Sequence, residues 1–363
     1  MGKIPGRNRW LIILLVFVIL LCSIAVAGWL LLKHYYSMMN IQTDDNTQIE
    51  QTMPISGSLD ENPGAQTEFA QGENVAASEE PEPSENTEET IGLFDDMEVD
   101  ERIFSIMLIG VDSRDDSDEG RSDSMILFNI NPDTKKVIMT SFLRDIYVDI
   151  PSFGGDRLNT SYAVGGANLL SKTISRNFGI DVDKYVTLNF WTVRDIIDAF
   201  GGVDIDVTEA EIEVLNSYLG EHNFLLNKPF GTDYLSPEDA GMIHLNGSQA
   251  LAYARIRYIG SDFARTGRQR EIISVCMEKL KEMSIFEIND MLEQFLPSVS
   301  TNLTEQDVLT LLFMALRIKD YSTESMAIPV DGTWEYANVE GMSVIKANFA
   351  ANAKAWYNKI MGE

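Results

Sequence analysis

Arg121-Ser122-Asp123-Ser124, with Gly110-Val111-Asp112-Ser113-Arg114 just upstream, is the stretch that decides how this chain folds. Phe104 to Val111 predicts a buried apolar strand and Ser124 to Ile130 a second, with about a dozen polar residues between them. That separation is hairpin spacing. Two antiparallel neighbours would release Asp112 from the end of one strand and admit Asp123 at the start of the next, so both carboxylates would share one end of one sheet. A pair of close carboxylates calls for a metal or a guanidinium, and Arg121 is two residues from Asp123. On residue types alone, a polar loop whose acids face water is the better account of the pair. Asp115, Asp116, Asp118 and Glu119 show the same loop collecting acids without discrimination.

The ends of the chain set its class. Of 363 residues, 45% are apolar, enough for a sizeable core. Lys3, Arg7 and Arg9 precede an uncharged run of 23 residues from Trp10 to Leu32, long enough to span a bilayer. The positive-inside rule places residues 1–9 in the cytoplasm and everything after 10–32 outside, a single-pass type II topology. Ala25-Val26-Ala27 has the pattern of a signal-peptidase site, but the apolar run continues through Trp29-Leu30-Leu31-Leu32, which suits an uncleaved anchor better. Residues 34–101 hold 18 acids and no Lys or Arg, so 33–101 is expected to be a solvated, self-repelling linker. Residues 102–363 carry 24 basic against 38 acidic side chains, a net of −14. That balance excludes a nucleic-acid partner, which needs a basic face for phosphates. Cys22 and Cys276 cannot pair across this topology, and His34, His222 and His244 show no metal-ligand spacing. Zinc and a Ser-His-Asp triad are both disfavoured.

Strands and helices then alternate. Lys136 to Phe142 predicts a third strand ending at Leu143-Arg144-Asp145, and Ala167 to Phe178 a helix. Tyr185 to Leu188 reads as a strand, Thr192 to Phe200 as a helix capped by Gly201-Gly202, and Val203 to Val207 as a strand. The pattern predicts an α/β fold, a layered α-β-α domain with a mixed central sheet. Residues 208–246 read mainly as a long excursion, and Gly247 to Ala252 as a short helix. Tyr253-Ala254-Arg255-Ile256-Arg257-Tyr258 has a period of two, so an extended segment would place Arg255 and Arg257 on one face. A helix from Asp262 to about Met283 carries Asp262, Arg265, Arg268 and Gln269 on one face of its first turns. Arginines there oppose the helix dipole, a conflict that a bound anion would resolve. An ordinary Asp262–Arg265 pair is the plainer account. Helices over 285–294, from Thr304 to Leu316 and over 341–360, with a strand over 325–330, complete the expected scaffold.

In order and spacing these motifs resemble the LytR-CpsA-Psr family of bacterial envelope proteins over most of residues 104–315. The match is carried by Ile109-Gly110-Val111-Asp112-Ser113-Arg114, Arg121-Ser122-Asp123-Ser124-Met125-Ile126-Leu127, Leu143-Arg144-Asp145-Ile146-Tyr147-Val148 and Asn159 with Gly165-Gly166. It continues in Gly201-Gly202-Val203-Asp204, Leu251-Ala252-Tyr253-Ala254-Arg255-Ile256-Arg257, Asp262-Phe263-Ala264-Arg265-Thr266-Gly267-Arg268-Gln269 and Thr301-Asn302-Leu303-Thr304. Three positions depart from the family pattern: Leu143 replaces a frequent Pro, Ser124 a usual Thr, and Arg157 stands where a Lys is common before Asn159.

The resemblance implies a phosphotransferase that moves an anionic glycopolymer, of teichoic acid or capsular type, from a polyprenyl diphosphate carrier to peptidoglycan. It implies a divalent cofactor, Mg2+ or Mn2+, held by Asp112 and Asp123. Arg121, Arg144, Arg255, Arg257, Arg265, Arg268 and Gln269 would line the diphosphate, and Asp145 or Asp262 would orient an arginine or take the acceptor's proton. The chemistry is coherent, because guanidiniums and a cation stabilise charge that develops on phosphate oxygens. Hydrolysis of the carrier diphosphate, and non-enzymatic sensing of an envelope lipid or glycan, remain open alternatives from the same residues.

Overall fold

The structure is a computed structural model that describes residues 28–42, 99–112, 120–315 and 317–362. The tail 1–9, most of the expected anchor 10–32, positions 43–98 of the expected linker and the loop 113–119 lie outside the described residues. Among the described residues no helix is long and apolar enough to cross a membrane.

A seven-stranded mixed sheet forms the centre. Its strands are β1 (Asn40–Ile41), β2 (Phe104–Val111), β3 (Ser122–Asn131), β4 (Lys136–Phe142), β5 (Tyr185–Asn189), β6 (Ser300–Thr301) and β7 (Ser322–Ile328), in the spatial order β1-β6-β5-β2-β3-β4-β7. β2, β3 and β4 form an antiparallel meander, while β5 runs parallel to β2 and β7 parallel to β4. The opening hairpin is therefore as expected, with one addition. Gly110 pairs with Ser124 and Val111 with Ser122, so Asp123 is the extra residue of a β-bulge. A bulge re-aims a side chain at a strand end, and here it frees Asp123 from the alternation that buries Ser122 completely.

The helices are α1 (Leu158–Phe178), α2 (Phe190–Ala199), α3 (Glu209–Leu225), α4 (Gly247–Ala254), α5 (Asp262–Glu282), α6 (Ile285–Phe295), α7 (Glu305–Ala315) and α8 (Phe349–Met361). Alternation along β2 sorts them into layers. Met107, Ile109 and Val111 join a core with Leu170, Ile174 and Phe178 of α1 and Trp356 and Ile360 of α8. Leu108 and Gly110 help bound a cavity closed by α2, α4 and α5. A second core binds α3 and α4 to the hairpin of Val203–Val207 with Gly241–Leu245, through Val203, Ile205, Val207, Ile212, Leu215, Leu219 and Leu245.

Four expectations are corrected. Residues 208–246 are not mainly an excursion: α3 begins at a Thr208–Glu211 capping box and buries Ile212, Leu215 and Leu219 at i, i+3 and i+7. Tyr253–Tyr258 is not a strand, because α4 runs to Ala254 and the amides of Arg255 and Ile256 close a last turn on Ala252 and Tyr253. Residues 341–360 are not one helix. Glu340 and Gly341, both at positive φ, turn a hairpin between Trp334–Val339 and Met342–Ala347, and α8 follows. Finally, residues 33–42 do not behave as solvated linker. Residues 28–38 are helical, Lys33 pairs with Glu305, and β1 adds to the sheet edge through β6.

α8 is locked to the sheet by Trp356, which is 4% exposed and donates its indole N–H to Asn129 Oδ1 at 3.2 Å. Asn129 in turn donates to Ser105 Oγ at 2.8 Å. Trp356→Ala is expected to lower the unfolding free energy by roughly 3 kcal/mol, read from the urea midpoint at unchanged slope.

Candidate active site

The bulge delivers Asp123 into a nest of guanidiniums. Its side chain is 13% exposed; Arg144 Nη1 donates to Oδ1 and Arg257 Nη2 to Oδ2, both at 2.8 Å, and Arg265 Nη1 lies 3.9 Å away. Burial alone would push this carboxyl up, but Arg257, Arg265 and Arg144 outweigh it and hold the group below its usual range. Each arginine arrives from a different element: Arg144 from the turn after β4, Arg257 from the segment after α4, and Arg265 from the first turn of α5.

A carboxyl pair sits beside them. Asp145 and Asp262 share a hydrogen bond, and burial followed by that contact raises the pKa of Asp145. Burial also opposes ionisation of Asp262, yet the hydrogen bond from Asp145 and the nearby Arg265, Arg144 and Arg257 lower its pKa overall. The contact and the neighbouring guanidiniums thus split the pair, Asp145 upward and Asp262 downward from the ordinary carboxyl range. Asp262 lies 3.3 Å from Arg265 Nε and 3.8 Å from Arg144 Nε, while Asp145 lies 3.6 Å from Arg144 Nε and 3.7 Å from Arg157 Nε. None of these contacts is a hydrogen bond, and the buried Nε–H groups of Arg144, Arg157 and Arg265 make none elsewhere. Three unmet donors, beside three guanidiniums that face Asp123 and Asp262, are arranged for an anion with several oxygens.

Asp112 and Arg255 form the adjoining wall. Both line a small recess with Phe190, Trp191, Glu221, His222 and Leu251. Arg255 Nη1 donates to His222 Nε2 at 2.7 Å and its guanidinium lies over the rings of Tyr218 and Phe190. Burial, then Arg255, lowers the His222 pKa to about 4, so the ring is neutral and accepts at Nε2. Phe190 and Leu251 also line the larger cavity of about 280 Å3, whose other walls include Leu108, Val193, Phe200, Ile273 and Leu280. Gly110 and Ser124, next to the two aspartates, form its near end. The charged recess and the apolar cavity thus share a wall at Phe190 and Leu251.

The expected residues divide accordingly. Asp112, Asp123, Arg144, Asp145, Arg255, Arg257, Asp262 and Arg265 come together along this end of the sheet. Arg121 is exposed at the hairpin base, where its carbonyl accepts from the Asp112 amide at 3.2 Å. Gln269 belongs to the cavity wall instead, with its buried Oε1 making no hydrogen bond. Arg268 is corrected outright: it is a buried clamp that donates to Glu211 at 2.8 Å, to the Ile256 carbonyl at 3.1 Å and to the Ile259 carbonyl at 3.0 Å. Its partners, Glu211 of α3 and the carbonyls of Ile256 and Ile259, draw it away from Asp123 and fix the segment bearing Arg257. Arg255 and Arg257 also diverge, because the helical turn between them replaces the expected strand.

Sequence reasoning missed Glu221 and His222, which sit on the unrecognised α3; the Thr208-x-x-Glu211 pattern was the available signal. It also gave no account of the cavity, whose walls come from β2, β3, α2, α4 and α5. Among the described residues no three His, Cys, Asp or Glu side chains gather as a ligand set. Asp112 and Asp123 are oxygen donors at one sheet end, the ligand type of a hard cation, and both oxygens of Asp123 accept from Arg144 and Arg257.

The LytR_cpsA_psr family model matches residues 67–359. The chain is 34% identical over 245 residues to the polyisoprenyl-teichoic acid–peptidoglycan teichoic acid transferase TagU of Oceanobacillus iheyensis, a match covering 64% of this chain and 70% of that protein. TagU of Enterococcus faecalis and of Bacillus licheniformis are covered over 63% and 61% of their length, so the chain spans about two thirds or less of these relatives. Among solved structures it is similar to TagT bound to LIIa-WTA, with 28% identity and a TM-score of 0.57 over 73% of this chain and 94% of that one. It is also similar to the LytR-CPS2A-psr family protein YwtF (TagT) with bound octaprenyl pyrophosphate lipid, at 26% identity and a TM-score of 0.53 over the same shares.

The carboxyl pair makes a signed prediction. Asp145, with its raised pKa, destabilises the fold when ionised, a penalty fully present above its folded pKa and relieved as pH falls below the ordinary carboxyl range. Asp262, with its lowered pKa, contributes stability above its unfolded pKa that is lost as pH falls through the folded one. At neutral pH, Asp145→Asn should therefore leave stability equal or higher and Asp262→Asn should reduce it. Both differences should shrink by about pH 3, measured as urea midpoints at the two pH values.

Proposed function

The chain belongs to the LytR-CpsA-Psr family, and from that premise we propose that it transfers an anionic glycopolymer from a polyprenyl diphosphate carrier to peptidoglycan. The observation that carries this reading is the junction of two chemistries: guanidiniums with unmet Nε–H donors on one side, and an apolar cavity entered between Gly110, Ser124, Phe190 and Leu251 on the other. A diphosphate head with a prenyl tail matches both halves. Its names among relatives and its bound form in a structural neighbour agree with that match.

In this reading Arg144, Arg257 and Arg265 receive the non-bridging oxygens from one side and Arg255 from the other, with Arg121 at the rim. A cation held by Asp112 and Asp123 would supply further charge neutralisation when bound. The acceptor hydroxyl oxygen bonds to the glycan-bearing phosphorus while the bond from that phosphorus to the bridging oxygen breaks. Polyprenyl phosphate leaves, and a phosphodiester to the acceptor remains. The hydroxyl proton passes to the carboxyl pair. Asp145, with its raised pKa, is the stronger base of the two once ionised, and Asp262 orients Arg265 and Arg144. Preorganised guanidiniums stabilise the charge that builds on the phosphate oxygens without reorganising at the moment of reaction.

The test follows the glycan phosphate. Full-length protein is incubated with a polyprenyl diphosphate-linked glycan, peptidoglycan oligomers and Mg2+. Conjugate should form, should vanish with EDTA and return with Mg2+, and should fall about 100-fold or more in Asp123→Asn and Arg257→Ala. Free glycan phosphate without conjugate would replace transfer by hydrolysis, and binding without turnover would replace it by sensing. Transfer that persists in Asp123→Asn would remove the cation from the mechanism.

A further inference from the structure

The cavity has a second end, and the surface around it differs from the rest of the molecule. From Gln269 to Leu280 the cavity follows α5 for roughly 16 Å, short of an extended chain of more than a few isoprene units. It finishes at Phe128, Met277 and Leu280, the last of these 36% exposed. Phe128 and Met277 pack on the same small core of Phe104, Ile130, Val137 and Leu303 that takes Val308, Leu311 and Met314 of α7. The outer face of α7 bares Leu309, Leu312 and Phe313, and α6, which packs on α2, bares Phe286 at 79% exposure. The helix 28–38 docks on the same two elements. Lys33 pairs with Glu305 at the start of α7, and Tyr35 hydrogen-bonds Asn289 of α6. Its own first residues, Trp29, Leu30 and Leu31, are more than half exposed.

We propose that this end of the molecule, formed by α6, α7 and residues 29–31, rests in the bilayer interface, and that the prenyl tail passes between membrane and cavity there. The occupant follows from the chain itself. Trp10 to Ala27 contains no charged residue and runs directly into Gly28 and Trp29, so the longest apolar stretch of the sequence arrives at this patch. Exposed aromatics and leucines on amphipathic helices are the side chains that an interface takes up. Acids on the same helices are partly engaged elsewhere: Glu287 and Asp307 cap their helices on Ser284 and Thr304, and Glu305 holds Lys33. Asp290 and Glu293 of α6 accept from Asn289, and contact is carried by the apolar side chains. The site at the other end of the cavity then faces away from the membrane, toward the wall. The inference rests on reading the cavity as the prenyl site.

Photoreactive phenylalanine analogues placed at Phe286, Phe313 and, as control, Phe153 test it. Phe153 is half-exposed in a turn on the opposite layer, between Tyr147–Ile150 and Gly154–Arg157. Full-length protein is reconstituted in vesicles of phosphatidylglycerol and phosphatidylethanolamine, irradiated, and read by mass spectrometry. Lipid adducts at 286 and 313 but not at 153 are expected, unchanged at high salt. Adducts between two copies of the chain at 286 and 313, or none at either, would overturn the proposal, as would equal labelling at 153. A second arm uses the double variant Phe286→Ser with Phe313→Ser. Turnover of a vesicle-embedded donor should drop roughly tenfold, while a short-chain, water-soluble donor is used as by the wild type. Equal use of the embedded donor by variant and wild type would also overturn it. If the wild type turns over neither donor, the transferase reading fails while the adduct pattern still decides the membrane face.

Discussion

Everything at the site depends on one buried carboxylate. Asp123 gives up most of its hydration, a cost of several kcal/mol for an unpaired ion, and three guanidiniums offset it. Two of these lie 21 and 134 residues away in sequence. Satisfying it requires the turn after β4, the end of α4 and the start of α5 to converge on a single β-bulge. The bulge is what makes convergence possible, since a regular strand would have turned residue 123 by the strict alternation of its neighbours. Arg268 belongs to the same constraint from behind. Its bonds to the Ile256 and Ile259 carbonyls hold the short connection that presents Arg257.

The cluster is balanced rather than saturated. Asp123 takes hydrogen bonds from two arginines, yet the Nε–H groups of Arg144, Arg157 and Arg265 remain buried without one. A fold that only needed stability would not leave such donors unmet, because each costs about 1–3 kcal/mol. They make sense as groups held ready for ligand oxygens. Beside them, His222 shows a different solution to positioning: a ring kept neutral by burial and by Arg255 can accept from that same arginine without repelling it. The apolar cavity completes the arrangement by offering no polar competition to a hydrocarbon tail.

Where the sequence was read correctly, the signal was local and strong. The β2–β3 hairpin, the strand ending before Arg144 and the long helix from Asp262 each follow from apolar runs bounded by polar turns. The motif order was legible for the same reason. Where the reading failed, weak local signals were overridden by packing. α3 hides Ile212, Leu215 and Leu219 among acids and asparagines, and its helix is fixed by a core shared with α4 and a distant hairpin. The alternation of Tyr253 to Tyr258 looks like a strand until burial of Tyr253 and Ile256 in that core ends a helix there instead.

By itself the sequence determined the residue types available to the site, the hairpin that puts Asp112 and Asp123 at one sheet end, and an acidic balance that argues against a nucleic-acid partner. Those follow from periodicity and charge, which need no knowledge of neighbours. Only the tertiary structure decided which arginines face Asp123 and which is a clamp, which carboxyl of the Asp145–Asp262 pair is shifted up and which down, and where an apolar cavity lies. These depend on distances between segments remote in the chain, and on the loss of water from the space between them. Electrostatics and hydrophobic burial act through those distances, and sequence spacing does not contain them.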